Sequence, residues 1–202
     1  MGSSIARKEH RAINEQLANA ERLRVGLIAD THMPGTIASL WPQVYRGFAE
    51  VDCILHAGDL HVADVIDELE TMAPTFVCTG NGDLDVQHHR LKDLWLGDLA
   101  GIPVGLIHRF PTPRRADAQR LQKKIDQHFG GADPRVVIYG HTHLAELHQV
   151  DGRTYINPGS PTLPNNQSTR HGTVGFMEIT AKGVHVELHQ ITEHGLELIQ
   201  ST

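Results

Sequence analysis

The chain has 202 residues, 40% of them hydrophobic and 21% charged, a balance that excludes a disordered chain, a collagen and a coiled coil. Lys and Arg number 18 against 24 Asp and Glu, and a net charge of -6 argues against general nucleic-acid binding. The 15 histidines stand out, because histidine is the commonest metal ligand.

In chain order, residues 1–22 read as a polar helix in which Ile13, Leu17 and Ala20 recur at helical spacing. Such a helix packs on its own domain or on a second copy of the chain, and a homo-oligomer through it is one possibility. It is treated as an extension over residues 1–23, with the main domain over 24–202. Val25–Ala29 is a short apolar run of the buried-strand type. A helix is expected over 36–50, a strand over Cys53–Ala57, a helix over Val62–Met72 and a strand over Thr75–Thr79. This β-α-β-α-β order is the mark of a parallel sheet with crossover helices.

The second half changes character. Trp95-Leu96 and Val104–Ile107 flank a glycine-rich turn and predict a hairpin, and Ala116–Phe129 predicts a helix closed by Gly130-Gly131. Val136–Tyr139 is another buried strand. Asp151-Gly152 joins Ala145–Val150 to Arg153–Ile156, a strong hairpin signal, and Gly172–Ile179 pairs with Val184–Gln190 around Ala181-Lys182-Gly183. Two sheets packed face to face with helices outside are the simplest architecture. No run approaches about 18 apolar residues, so no membrane span is expected. Residues 1–24 lack the apolar core of a signal peptide, and Ala6 stands where a myristoylation pattern needs Ser or Thr. Cys53 and Cys78 sit in apolar runs and read as buried free thiols, so a cytoplasmic protein is expected.

Five strands end in residues able to hold a metal. They end in Asp30-Thr31-His32, Gly58-Asp59, Gly80-Asn81-Gly82-Asp83, His108, and Gly140-His141-Thr142-His143. Ligands of a parallel sheet bind beyond the carboxyl ends of its strands. Asp30 and His32 are two apart, as are His141 and His143, and in an extended chain such pairs point to one side. Gly58, Gly80 and Gly140 permit sharp turns just before a ligand.

Asp-x-His, Gly-Asp, Gly-Asn-x-Asp, His and Gly-His-x-His, in that order, resemble the calcineurin-like metallophosphoesterases. Asn157-Pro158-Gly159-Ser160 resembles the small bacterial and archaeal phosphodiesterase branch. The resemblance runs from about residue 24 to about 190 and implies a four-layer αββα sandwich with two mixed sheets. It implies one metal held by Asp30, His32, Asp59 and His143, and another held by Asp59, Asn81, His108 and His141, with Asp59 bridging. Asp59, Asn81 and His108 would also be catalytic, and Asn81 would touch substrate. The set is oxygen and imidazole nitrogen without thiolate, which suits Mn, Fe, Zn, Co or Ni, with Mn favoured. Two divalent ions, two carboxylates and a bridging hydroxide leave the site at about +1, a natural place for a small phosphate ester. The implied activity is that of a hydrolase, a phosphodiesterase in preference to a phosphomonoesterase, through attack of a metal-bridging hydroxide.

Two departures from the pattern carry weight. Many members place a proton-donating histidine where this chain has Gly82, followed by Asp83; the phosphodiesterase branch lacks that histidine too. Asp83 either orients a ligand or is a turn residue. After His108 the family has Gly and a second His, whereas this chain has Arg109-Phe110-Pro111. Asn157–Ser160 either contributes to the floor of the site or is a turn. His56 is read as a satisfied core histidine, His88 and His89 as loop residues, and His185 and His189 as a strand face. A rival of another class is a protein-interaction scaffold, because a retromer subunit resembles this fold with a degraded metal site; the intact ligand pattern here favours an enzyme.

Beyond the family pattern, Thr112-Pro113 predicts an N-cap and first helical turn, with Arg114 and Arg115 in that turn against the helix dipole. Arg109, Arg114 and Arg115 are candidate contacts to the substrate's phosphate or distal group; the alternative is a solvated helix end.

Overall fold

The computed structural model describes residues 12–202. Residues 12–18 are helical and form α1; the part of the expected N-terminal helix over residues 1–11 lies outside the described residues. Leu17 is buried, its carbonyl accepts the Ala100 N–H at 2.9 Å, and Ile13 and Ala20 pack against the same core. This turn of helix therefore lies on its own domain.

One sheet holds β1 (Arg22–Ile28), β2 (Cys53–His56), β3 (Thr75–Cys78) and β4 (Leu91–Lys92) in parallel. On the other side of β1 it continues antiparallel through β10 (Thr173–Thr180), β11 (Gly183–Ile191) and β12 (Leu196–Ser201). The second sheet runs β5 (Leu94–Leu99), β6 (Ile102–Ile107), β7 (Val136–Ile138), β9 (Arg153–Pro158) and β8 (Ala145–Val150). Its three middle strands are parallel and its two edges antiparallel.

Residues alternate across a strand, so each buried run feeds two layers. Val25, Leu27, Cys53, Leu55, Phe76 and Cys78 face Val104, Leu106, Val136, Ile138 and Ile156, and together they form the core between the sheets. The opposite face of the first sheet, with Ile28, Ile54 and Val77, is covered by α2 (Pro42–Phe48) and α3 (Asp64–Glu70). The outer face of the second sheet, with Ile107, Val137, Tyr139 and Tyr155, is covered by Leu121, Ile125 and Phe129 of α4 (Ala118–Phe129). Helix, sheet, sheet, helix is the expected αββα sandwich. Both cysteines are buried and free.

Several boundaries differ from expectation for local reasons. The helix expected over 36–50 is confined to Pro42–Phe48: Pro42 sits in its first turn and Trp41 before it is extended, as steric clash with a proline ring demands. The helix expected from Ala116 begins at Ala118, because Asp117 is the cap and its carboxylate accepts the Arg120 N–H at 2.8 Å. Thr112–Arg115 is a separate turn closed by the Arg115 N–H on the Thr112 carbonyl. Arg114 and Arg115 therefore do not lie in the first turn of a helix, and the predicted conflict with the dipole does not arise. Gly130 closes α4 with a left-handed φ of 60°. No described helix is long and apolar enough to cross a membrane.

Candidate metal centre

The parallel strands of both sheets deliver their carboxyl ends to one place. Asp30, His32 and His143 form one cluster, and Asp59, His108 and His141 form a second, each with donor atoms within 4.8 Å of one another. Asp59 connects them: its Oδ2 is 3.6 Å from His32 Nε2 and its Oδ1 is 3.5 Å from His108 Nε2. Asn81 Oδ1 lies 3.1 Å from His108 Nε2, at the edge of the second cluster. All seven residues expected as ligands are thus brought together.

The backbone there is strained. Asp30, His32, Asp59, His141 and His143 have φ between 49° and 71°, and His61 has φ 80°. These are six of the ten described non-glycine residues with left-handed φ, and each such residue costs of order 1–3 kcal/mol that the surrounding structure must offset. The i, i+2 argument from an extended chain consequently does not hold. Asp30 and His32 share a cluster, but His141 and His143 serve different ones, because the left-handed turns redirect their side chains.

Glycine is required for two reasons. Gly58 has φ 85° and abuts the Gly80 N–H and His108 Nδ1, at 2.8 and 2.9 Å from where a Cβ would stand. Gly80 is needed for close approach rather than for a turn, since a Cβ there would overlap the Asp59 carboxylate.

Outer partners fix the candidate ligands. His108 Nδ1 donates to the Ala57 carbonyl and His143 Nδ1 to the Leu163 carbonyl, both at 2.7 Å, which leaves each Nε2 lone pair facing the centre. Asp83 is 1% exposed. Its Oδ2 accepts the N–H groups of Asp59 and Gly80 at 2.8 Å, and its Oδ1 those of Leu60 and His61 at 2.7 and 2.9 Å. Of the two readings of Asp83, it is the orienting residue, and it acts on backbone. Asn157 donates to the Gly140 carbonyl and Thr142 Oγ1, and Ser160 Oγ donates to the Asp30 carbonyl at 2.7 Å. The Asn157–Ser160 segment therefore buttresses two ligand turns from below. His56 accepts the Gly58 N–H on Nδ1 and so donates from Nε2 to Thr31, a satisfied core histidine as expected.

The electrostatics fit a cation. Burial pushes the Asp30 carboxyl up to about 8, against the opposing influence of His108, so an ionised carboxylate in that position calls for a positive partner. Burial, with His61 alongside, lowers His32 to about 4, and burial also lowers His141 and His143, leaving these imidazoles neutral with lone pairs to give. Burial opposes ionisation of Asp59, yet the His108 side chain and the Gly82 N–H hold it below the usual carboxylate range. His108 is raised despite burial, by Asp59 and Asp30. A set of two buried carboxylates, an amide oxygen and four imidazoles, open to solvent at Asn81 and His141, suits divalent ions.

Among the described arginines, only Arg109 hydrogen-bonds to this set: its Nε and Nη2 donate to Asn81 Oδ1 at 3.1 and 2.9 Å. The exposed side chains of Arg114 and Arg115 make no hydrogen bond or ion pair with a ligand residue among the described residues, a consequence of the turn that precedes α4. His61 was not singled out from the sequence, yet its Nε2 lies 2.7 Å from His32 Nδ1. His88 and His89 lie in a loop, and His185 and His189 flank Glu187 on β11, joining no cluster of three donors among the described residues.

The chain matches the Calcineurin-like phosphoesterase superfamily domain over residues 23–182. It belongs to that superfamily. A probable metallophosphoesterase of Methanothermobacter thermautotrophicus is 38% identical over 145 residues, 69% of this chain and 78% of the relative. In fold, the chain is similar to Vacuolar Protein Sorting 29 of Cryptosporidium parvum, with TM-score 0.75 at 15% identity over 91% of this chain and 99% of that one. It is similar also to Vps29 of Entamoeba histolytica in complex with zinc, with TM-score 0.69 at 22% identity over 89% of this chain and 98% of that one. Family membership and the paired donor clusters of this calcineurin-like chain together support divalent metal ions.

Proposed function

We propose that the protein is a phosphoesterase dependent on two divalent metal ions, acting on small phosphodiesters in preference to monoesters. One observation carries the reading: two donor clusters adjoin at Asp59, a member of the second, whose Oδ2 lies 3.6 Å from His32 Nε2 of the first while its Oδ1 lies 3.5 Å from His108 Nε2. Asp30, His32, Asp59 and His143 would hold one ion, and Asp59, Asn81, His108 and His141 the other; Mn is the favoured metal. When bound, such a pair supplies an activated water and neutralises phosphoryl oxygens.

The chain's own residues do the rest. Asp30 and Asp59 bring only two negative charges to the centre, which leaves room for a phosphate anion. Arg109 reaches across Asn81 at the rim and is placed to meet a phosphoryl oxygen. The leaving group finds little help. Gly82 has no side chain, and both oxygens of Asp83 are turned to four backbone N–H groups, away from a leaving group. General-acid assistance is worth about 10²–10⁴-fold, and its absence favours substrates with good leaving groups. Replacing Gly82 by His does not simply restore a donor, because a Cβ there would stand 2.7 Å from the His61 ring.

A screen of Mn, Zn, Co and Ni with bis-p-nitrophenyl phosphate beside p-nitrophenyl phosphate tests the reading. Diester turnover well above monoester turnover is expected; preference for alkyl monoesters under matched conditions would overturn it. The likeness in fold to Vps29 proteins favours, as a second reading, a protein-interaction scaffold on the same frame. A chain with no turnover under any metal would leave that reading standing.

A further inference from the structure

His61 is exposed, yet its backbone is held at φ 80°. A solvated surface histidine gains nothing from that conformation, which costs of order 1–3 kcal/mol. Its N–H is fastened to Asp83 Oδ1 at 2.9 Å, the same carboxylate that orders Asp59. Its ring meets His32 edge-on, with centroids 4.4 Å apart and planes at 88°.

The comparison with the other imidazoles is informative. His108 and His143 each donate Nδ1–H to a backbone carbonyl. His32 meets His61 Nε2 instead, at 2.7 Å. His32 Nε2 is the nitrogen that faces the centre, 3.2 Å from His143 Nε2 and 3.6 Å from Asp59 Oδ2. For that nitrogen to offer a lone pair, the hydrogen must sit on Nδ1, and His61 Nε2 must accept it. The space for the His61 ring is made by Gly82: a Cβ at that position would stand 2.7 Å from both Cδ2 and Nε2 of His61.

We propose that His61 is a positioning residue that accepts the His32 Nδ1–H and so aims His32 into the first cluster, and that Gly82 is a glycine in order to seat the His61 ring. The inference rests on the two-metal reading above. It accounts for the departure at Gly82 without calling on a lost proton donor: the volume of the missing side chain is filled by a histidine from the neighbouring loop.

The test is calorimetric titration of the chelator-stripped full chain with Mn²⁺. The wild type is expected to show two sites. His61→Ala weakens one of them by about 10- to 100-fold, the usual loss when an outer partner of a ligand is removed, and leaves the other unchanged. His61→Gln, whose Oε1 can accept the same hydrogen, recovers most of that affinity. Gly82→Ala weakens the same site, because its Cβ displaces the ring. Equal titrations of wild type and His61→Ala overturn the inference alone. So does loss at both sites together, or a failure of Gln to rescue, since either marks a general disturbance of the fold. A wild-type chain that takes up no Mn²⁺ overturns the metal reading beneath it. Should His61→Ala fail to fold, the Gly82→Ala and His61→Gln titrations decide.

Discussion

Replacing Asp83 by Asn alters one atom in a buried carboxylate and tests how the ligand turns are held. Each Asp83 oxygen accepts two backbone N–H groups: Oδ2 those of Asp59 and Gly80, Oδ1 those of Leu60 and His61. Whichever way the Asn amide is turned, its NH₂ faces two donors and can accept from neither. Two hydrogen bonds to a charged acceptor are therefore lost, at about 1.5–3 kcal/mol each, and two N–H groups are left without an acceptor beside a side chain only 1% exposed. The expected destabilisation is about 3–6 kcal/mol, a large share of the roughly 5–15 kcal/mol available to a domain. Urea denaturation of the chelator-stripped protein, followed by far-UV circular dichroism, measures it as a shift in midpoint at unchanged slope. Turnover should fall as well, because the loosened turns carry Asp59 and His61. A loss below about 1 kcal/mol with full turnover would refute the claim that this carboxylate fastens the centre.

Arg109→Ala should raise KM more than it lowers kcat, whereas the double change Arg114→Ala, Arg115→Ala should leave both constants unchanged; steady-state kinetics on the aryl diester decides. Gly80→Ala should abolish turnover and reduce bound metal, because its Cβ would overlap the Asp59 carboxylate; metal analysis of the purified variant checks this. Stability of the metal-free protein should depend on pH in two stages. Between about 4 and 6.5, His32 and His56, both lowered by burial to about 4, are neutral in the folded chain and protonated in the unfolded one, so they make stability rise with pH. Over the same range Asp30, raised to about 8, binds a proton only when folded and opposes the rise. Above 6.5 the histidine gain is complete, while Asp30 and the raised His108 still favour the protonated folded state, so stability falls toward pH 8. Saturating divalent metal should remove that fall, as melting temperatures across the range will show.

The convergence of the seven candidate ligands was legible because it is local: each motif closes a buried apolar strand, and parallel pairing gathers the strand ends. What meets His32 from outside the set was not. His61 lies 29 positions from His32, and neither spacing nor composition links them; the only signal was the bare Gly82, which reads as a missing donor until the ring beside it is seen. The left-handed backbone at Asp30, His32, Asp59, His141 and His143 leaves only a weak mark in residue type, since Asp and His enter that region more often than most residues but far less readily than glycine. In the fold, Asp151-Gly152 announced its hairpin, whereas β4 is two residues long and β12 carries Leu198 and Ile199 side by side on an exposed edge, without the alternation that marks a strand. Thr112-Pro113 imitated a helix cap because capping depends on which N–H the side chain meets, and that N–H is met by Asp117.

The central claim is that Asp59 joins two metal ions into one centre, and metal content measured together with diester turnover in Asp59→Asn tests it most directly. Wild-type protein loaded with Mn²⁺ is expected to hold two ions per chain and to hydrolyse bis-p-nitrophenyl phosphate. In Asp59→Asn, metal content should drop and turnover should fall by orders of magnitude, because an amide offers one oxygen where the carboxylate offers two. An Asp59→Asn chain that keeps two ions and wild-type turnover would contradict the account.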